Sequence, residues 1–326
     1  MNAQAPESGA GRLTLTLAIC AKNAADVAET CFESIRGQAE APDAVMVVVD
    51  DTGDTTIPLA KRFGYAVVLN PGKKLYHARN AALAACTTDL LAFTDADCIL
   101  DRDWVRVIKR VFAEHPEVDA GTGRHPMIGR HNFVSWVHHQ WYVVETRKTG
   151  YTDGVIGGNS YFRAAALRTV GGWLPVALLG AEDVYISKKL TASGRKIWFD
   201  ECAVVAHHYR KDFEGFWRQS VMMGRDIVLM MRVADIRDGL WTYTLLIPLL
   251  AITGFLSLAL ACESVFPGAL LLLLVAGASL FYCRVQFGSL DAAVPRWAAR
   301  WIIIWPYSYG IIKGLFEKPP LPDPKA

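Results

Sequence analysis

A chain of 326 residues is long enough for one large domain or two ordinary ones, with a sizeable core in either case. Its 34 Lys and Arg nearly balance its 32 Asp and Glu, and the net +2 gives no electrostatic reason for nucleic acid as a partner. Mean hydropathy is positive, and the apolar excess lies after about Gly239, which predicts a polar front and a membrane-embedded back.

The seven cysteines (Cys20, Cys31, Cys86, Cys98, Cys202, Cys262 and Cys283) are odd in number and contain no CxxC pair. That spacing fits neither a zinc site nor a disulfide framework, so reduced thiols facing a cytoplasm are expected. Residues 1–12 are small and polar without an apolar core. They are expected to form a disordered N-terminus rather than a signal peptide, which leaves the front domain in the cytoplasm.

Taken in order, Leu13 to Cys20 reads as a buried strand. Asp26-x-x-Glu29 has the form of a capping box, and Val27, Cys31 and Ile35 follow at helical spacing. Ala44 to Val49 (AVMVVV) is a continuous apolar run of strand length, as a central parallel strand covered on both faces requires. Thr56 to Phe63 reads as a short helix ended by Gly64, and Tyr65 to Leu69 as a strand. An alanine-rich helix over His77 to Cys86 precedes a strand from Leu90 to Thr94, which runs straight into Asp95-Ala96-Asp97. Trp104, Val107, Ile108, Val111 and Phe112 trace one helix face. This alternation predicts an open, mostly parallel α/β sheet flanked by helices, with ligands at the carboxyl ends of its strands. From Gly121 to about Gly239 the pattern is less regular and rich in Trp, Tyr, His and Gly. That composition suits a sugar-binding surface or an ordinary aromatic core.

Leu240 to Ala261 and Ser264 to Cys283 carry no charge, and each is about long enough for a hydrocarbon core of roughly 30 Å. They predict a transmembrane helical hairpin, with spans at about 240–261 and 265–283 and its turn at Glu263. Arg225, Arg232 and Arg237 before it, and Arg284, Arg296 and Arg300 after it, place both ends in the cytoplasm. Trp241, Tyr243 and Tyr282 suit the interface. Residues 301–315 are apolar and aromatic but interrupted by Pro306 and Gly310, and are expected to lie at the membrane interface or re-enter it. Residues 317–326 read as a Pro-rich tail.

Three acidic motifs carry the chemistry. Asp95 and Asp97, at spacing i and i+2 after a strand, can reach a hard cation such as Mg²⁺ or Mn²⁺ that shares its shell with diphosphate oxygens. Asp50-Asp51-Thr52-Gly53-Asp54 follows AVMVVV. Capping of the next helix accounts for Asp54, whereas an acidic pair at a strand tip is better explained by a bound base or ribose. Gly180-Ala181-Glu182-Asp183 opens a helical stretch from Val184 to Ala192. Helix capping is one reading of it; the other is a general base that takes the proton of a sugar hydroxyl.

Over Leu13 to about Gly224 these residues resemble the family 2 glycosyltransferases of GT-A fold. The resemblance is carried by Asn23 after the first strand, VVVDDTGDTT, NPGKKLYHARNAAL, LLAFTDADC, GGNSYFRAAALRTVGGW, GAEDVYISKKLTASG and VVAHHYRKDFEGFWRQ, in that order. It implies an inverting, metal-dependent transfer from a nucleotide-sugar donor. Asn23, Asp51, Arg79 and Asp95 would bind the donor, with Asp51 on a uracil-like base and Arg79 near the diphosphate. Asp97 and His207 would hold Mn²⁺ or Mg²⁺. Asp183 would be the catalytic base, and Glu182 would orient the acceptor. The implied domain spans 13–239, with a nucleotide-binding half at about 13–120 and an acceptor half at about 121–239, ahead of a membrane region at 240–316.

DDTGD is shorter than the DDGS-type loop of many members, and Trp217-Arg218-Gln219 is not the Gln-x-x-Arg-Trp motif of processive synthases. Single-sugar transfer to a lipid-linked or glycan acceptor beside membrane lipids is therefore expected, in the synthesis of cell-envelope polysaccharide or glycoconjugate. The rivals are a polyprenyl-phosphate sugar synthase, using Arg210, Lys211, Arg218 and Arg225 at the membrane face, and a non-catalytic membrane scaffold.

Overall fold

The computed structural model describes residues 12–70, 72, 74–129, 132–141, 147–209, 211–234 and 264–321, with positions 253, 260 and 262. The expected span at 240–261, its turn at Glu263, and Arg210, Arg237, Trp241 and Tyr243 lie outside the described residues.

The chain begins with β1 (Leu15–Ala21), α1 (Ala25–Arg36), β2 (Ala44–Val49), α2 (Thr56–Arg62), β3 (Ala66–Leu69), α3 (Leu75–Ala85) and β4 (Leu90–Asp95). These four strands are parallel in the order β3-β2-β1-β4. The apolar run in β2 has the expected cause: Val47, Val48 and Val49 are buried, with alternate residues facing opposite layers. One layer packs α1 and α4 (Trp104–Glu114) through Phe32, Ile35, Trp104 and Ile108. The other packs α3 and later helices through Tyr76, Leu83 and Leu167.

Two local expectations change. No capping box forms at α1: Ala24 is the N-cap, and its N–H donates to Thr56 Oγ1 at 2.9 Å. Tyr65 stands outside β3, its hydroxyl donating to Phe32 O at 3.1 Å.

The sheet continues through β5 (Cys98–Leu100), β6 (Val118–Arg124), β7 (Gly150–Thr152), β8 (Asn159–Arg163) and β9 (Lys196–His207). Its order is β3-β2-β1-β4-β8-β6-β9-β5, with β7 also on β9. The sheet is mixed rather than mostly parallel, because β8 runs antiparallel to β4 and β6, and β5 and β7 antiparallel to β9. The reversed direction of β8 has a consequence for the site. Thr94 pairs with Asn159, so the residues just before β8 come beside the end of β4.

Between these strands lie α5 (Phe133–Trp141), α6 (Ala164–Thr169) and α7 (Glu182–Ala192). The described residues of the 121–239 stretch thus lie largely in strands and helices. Its strands β6, β7 and β8 have only three to seven residues, and their alternation is too brief to register as a sequence period.

The C-terminal part comprises α8 (Phe213–Ala234), α9 (Val265–Phe287) and α10 (Leu290–Phe316). Among the described residues, Val265–Val285 of α9 is the one helix long and apolar enough to cross a membrane. Phe266, Leu273, Leu274 and Phe281 on it are exposed, a surface suited to lipid rather than water. The segment expected at 301–315 is part of a longer helix that continues through Pro295 and Pro306. It packs on α8 and α5 through Val137, Phe216, Val228, Ile303, Tyr307 and Ile311. Gly224 and Gly310 permit the close approach, since a Cβ on either would lie 2.1 Å from a carbonyl oxygen of the facing helix.

Candidate active site

β4 carries its chain to Asp95, and a tight turn through Ala96 and Asp97 leads directly into β5. β5 pairs with the end of β9, setting His207 opposite Cys98. His207 Nε2 then lies 3.4 Å from Asp97 Oδ1, and its Nδ1 is buried without a hydrogen-bond partner. Asp95, Asp97, Cys98 and His207 each offer a ligand atom, all within 4.8 Å of one another. Two carboxylates and an imidazole suit a hard-to-borderline ion such as Mn²⁺ or Mg²⁺. Burial raises the Cys98 thiol well above its ordinary value, so it stays protonated and is a poor partner for a hard ion.

The acidic pair at α7 reaches the same cleft from the other side. Ala181 takes a left-handed backbone, φ 63°, immediately before the helix. A non-glycine there is strained, and the surroundings hold it. Tyr76 donates to Gly180 O at 3.2 Å, and Asp226 accepts the N–H groups of Leu179 and Gly180 at 3.0 Å each. Asp183 accepts N–H bonds from Val184 at 2.8 Å and Gly157 at 3.4 Å. Glu182 turns inward and is buried.

Arg79, from α3, joins the two acidic motifs. Its Nη2 lies 3.8 Å from Asp95 and 3.7 Å from Glu182 and donates to Gly157 O at 3.0 Å, while the guanidinium sits 4.5 Å above the Phe93 ring. Burial opposes its charge, but Cys20, Asp95, Glu182 and Asp183 together outweigh it and raise Arg79 overall. Burial, then the charge of Asp183, pushes Glu182 up to about 8. Asp183 is also raised by burial, but its two backbone N–H bonds favour the ionised form. Asp95 is raised by burial against the pull of Arg79.

The DDTGD loop divides its acids. Asp50 bonds Lys22 and Asn70 at 3.0 Å each, so the repulsion expected of an acidic pair at the strand tip is already relieved without a ligand. Asp54 accepts from Asn23 N and Thr56 N, binding the β1–α1 loop to the start of α2. Asp51 is exposed, and its Oδ1 accepts from Gly53 N at 2.9 Å. It follows β2, two strands across the sheet from Asp95. Asn23 braces this loop: its backbone has φ 46°, and its Oδ1 accepts from Thr55 N at 3.2 Å.

Several site residues escape sequence reasoning. A Cβ on Gly157 would lie 2.6 Å from Glu182 Oε1, and one on Gly158 would lie 2.7 Å from Asp95 Oδ2. The glycine pair before β8 was its only signal. His125 stacks on His207 with ring centroids 4.9 Å apart, and burial holds it down to about 3. Nothing in the sequence marked His125 or Asp226.

Residues 16–171 match the family described as Glycosyl transferase family 2. That segment, just under half of the chain, is similar to the family. It is 25% identical over 250 residues to the pre-mycofactocin glycosyltransferase of Mycobacterium tuberculosis, covering 67% of this chain and 48% of that protein. It thus spans about half the length of the first curated relatives it matches. Over 230 residues it is 25% identical to the O-antigen chain rhamnosyltransferase RfbN of Salmonella typhimurium, covering 64% and 72% of the two chains. Among solved structures, the Pyrobaculum calidifontis mannosyltransferase PcManGT, in complex with GDP-Man and Mn²⁺, superposes with a TM-score of 0.60 at 20% identity. That match covers 95% of this chain and 89% of the other. GalNAc-T7 with UDP, GalNAc and Mn²⁺ gives 0.54 at 15% identity over 69% and 48%. The fold of the chain is GT-A, with its acidic motifs at the carboxyl ends of β2 and β4 and at the start of α7.

Proposed function

We propose that this chain transfers a single sugar from a nucleoside-diphosphate sugar to a hydroxyl acceptor at a membrane surface, with inversion at the anomeric carbon. The observation that carries this reading is the meeting of Asp95, Asp97 and His207 at one turn, with Arg79 joining Asp95 to Glu182, the neighbour of Asp183. The nucleotide and Mn²⁺ in the complexes of the mannosyltransferase and GalNAc-T7 support it.

Asp97 and His207 would hold the cation with Asp95 alongside, and the ion would supply positive charge to offset the negative charge growing on the leaving diphosphate. Asp51 accepts from the base of the nucleotide, and Arg79 holds Asp95 in place near the diphosphate. Asp183 takes the proton of the acceptor hydroxyl. The acceptor oxygen bonds the anomeric carbon while the opposite carbon–oxygen bond breaks and its electron pair leaves on the diphosphate. Glu182, protonated near neutral pH, does not compete for that proton. It fixes Arg79 instead of reaching the acceptor.

The acceptor is lipid-linked or a glycan, and the chain is an integral membrane protein whose catalytic domain faces the cytoplasm. Exposed α9 supports the anchoring. A second reading, a lipid phosphate as acceptor, is favoured by a groove of about 390 Å³ between α8 and α10 that presents Trp217, Arg218, Tyr309 and Lys313. The test is a screen of nucleotide sugars with the purified chain, Mn²⁺ and membrane lipid extract. Sugar label passing into organic solvent marks a lipid-linked product. Release of no nucleoside diphosphate from any donor would overturn the enzymatic reading.

A further inference from the structure

Behind the Asp97 carboxylate, ligands of softer character converge. Cys98, His125 and His207 each offer a ligand atom, and the three atoms lie within 4.8 Å of one another. Separate strands deliver them: β5 begins at Cys98, β9 sets His207 opposite it, and His125 follows the last residue of β6. Cys98 is 1% exposed and His125 4%.

Both imidazoles keep a buried Nδ1 without a hydrogen-bond partner. A buried polar atom normally finds a partner, because leaving it without one forfeits its hydration. Two such atoms beside one buried thiol are not explained by packing.

Carboxylates select hard ions, whereas one sulfur and two imidazoles select ions of the zinc class. We propose that Cys98, His125 and His207 form a site for a thiophilic divalent cation of the Zn²⁺ class, adjoining the Asp95–Asp97 turn and sharing His207 with it. Tetrahedral zinc with bonds of about 2.0–2.3 Å sets its ligands about 3.5 Å apart, so the side chains close slightly around the ion. The thiol proton leaves to solvent as the sulfur–metal bond forms, with no change of oxidation state. An ion held there engages His207 and withdraws it from the Asp97 side, so a thiophilic metal slows transfer. That consequence rests on the proposed roles of Asp97 and His207; the site does not.

The experiment is a titration of the detergent-solubilised full chain with Co²⁺, followed by absorption. The wild type should show thiolate-to-cobalt charge transfer. Cys98→Ser should lose it, and His125→Asn should bind Co²⁺ at least about tenfold more weakly, with both variants melting like the wild type by circular dichroism. Absence of the band in the wild type, or its survival in Cys98→Ser, overturns the site. In a second measurement, Zn²⁺ inhibition at fixed Mn²⁺ should need at least about tenfold more Zn²⁺ in Cys98→Ser. Equal inhibition of both proteins overturns the sharing of His207. A chain that shows the band but transfers no sugar upholds the site and counts against the proposed function alone.

Discussion

Arg79 and Glu182 stand 103 positions apart in sequence, yet the guanidinium and carboxylate lie 3.7 Å from each other in the interior of the cleft. The same Nη2 lies 3.8 Å from Asp95, so one cation fixes the spacing between the proposed donor side and the proposed acceptor side. Arg79→Ala would leave Asp95 without its counter-charge and Glu182 without its partner, and should cost roughly 3–5 kcal/mol of stability. Arg79→Lys keeps the charge but loses the planar fork. It should fold and yet transfer poorly. Thermal unfolding beside turnover separates the two effects, and wild-type turnover in Arg79→Lys would remove the bridging role.

The proposed metal ligands make a prediction independent of turnover. Asp97→Ala removes an oxygen ligand and His207→Ala a nitrogen, so each should weaken Mn²⁺ binding by at least about tenfold, or roughly 1.4 kcal/mol. Electron paramagnetic resonance of free Mn²⁺ measures this directly. Chelation should abolish transfer, and Mn²⁺ or Mg²⁺ should restore it. Unchanged Mn²⁺ affinity in both variants would place the cation elsewhere.

Glu182 sets a pH dependence of stability. Its folded value, about 8, lies above its ordinary 4.5, so the folded chain holds an extra proton between the two. The associated stability is complete below about pH 4.5 and is lost as pH rises through about 8. Glu182→Gln lacks this titration. Relative to that variant, the metal-free wild type should lose stability between about pH 5 and about pH 9 by denaturant unfolding. A difference that stays constant with pH would show that the carboxyl is not held protonated.

The contact of α8 with α10 depends on having no side chain at two points. In Gly310→Val, a Cβ 2.1 Å from Val221 O must push the helices apart. The expected cost is about 1–3 kcal/mol or more, read as a lowered melting temperature in detergent. Asp226 on α8 holds the Gly180 loop, so transfer should fall as well. An unchanged melting temperature would mean that α10 does not dock on α8 in this way.

Much of the front half was legible because its signals are local. An apolar run ending in an acid marks a strand tip, and this located β2 with Asp51 and β4 with Asp95. The remainder depended on residues distant in the chain. Asp50 has its partners in Lys22 and Asn70, so an acidic pair that reads as unrelieved is already neutralised. The antiparallel direction of β8 brings Gly157 and Gly158 against Glu182 and Asp95, and no periodicity reports strand direction. His125 gains meaning only through its stacking on His207. β7 and β8, of three and five residues, offer too few positions for alternation to stand out.

The central claim is that Asp183 takes the acceptor proton at a site where the donor binds independently. Asp183→Asn keeps the size of the side chain and removes its basicity. Donor affinity by calorimetry should stay within about threefold of wild type, while transfer rate falls by about 10²–10⁴. Near-wild-type transfer by Asp183→Asn would contradict the account and direct attention to Glu182.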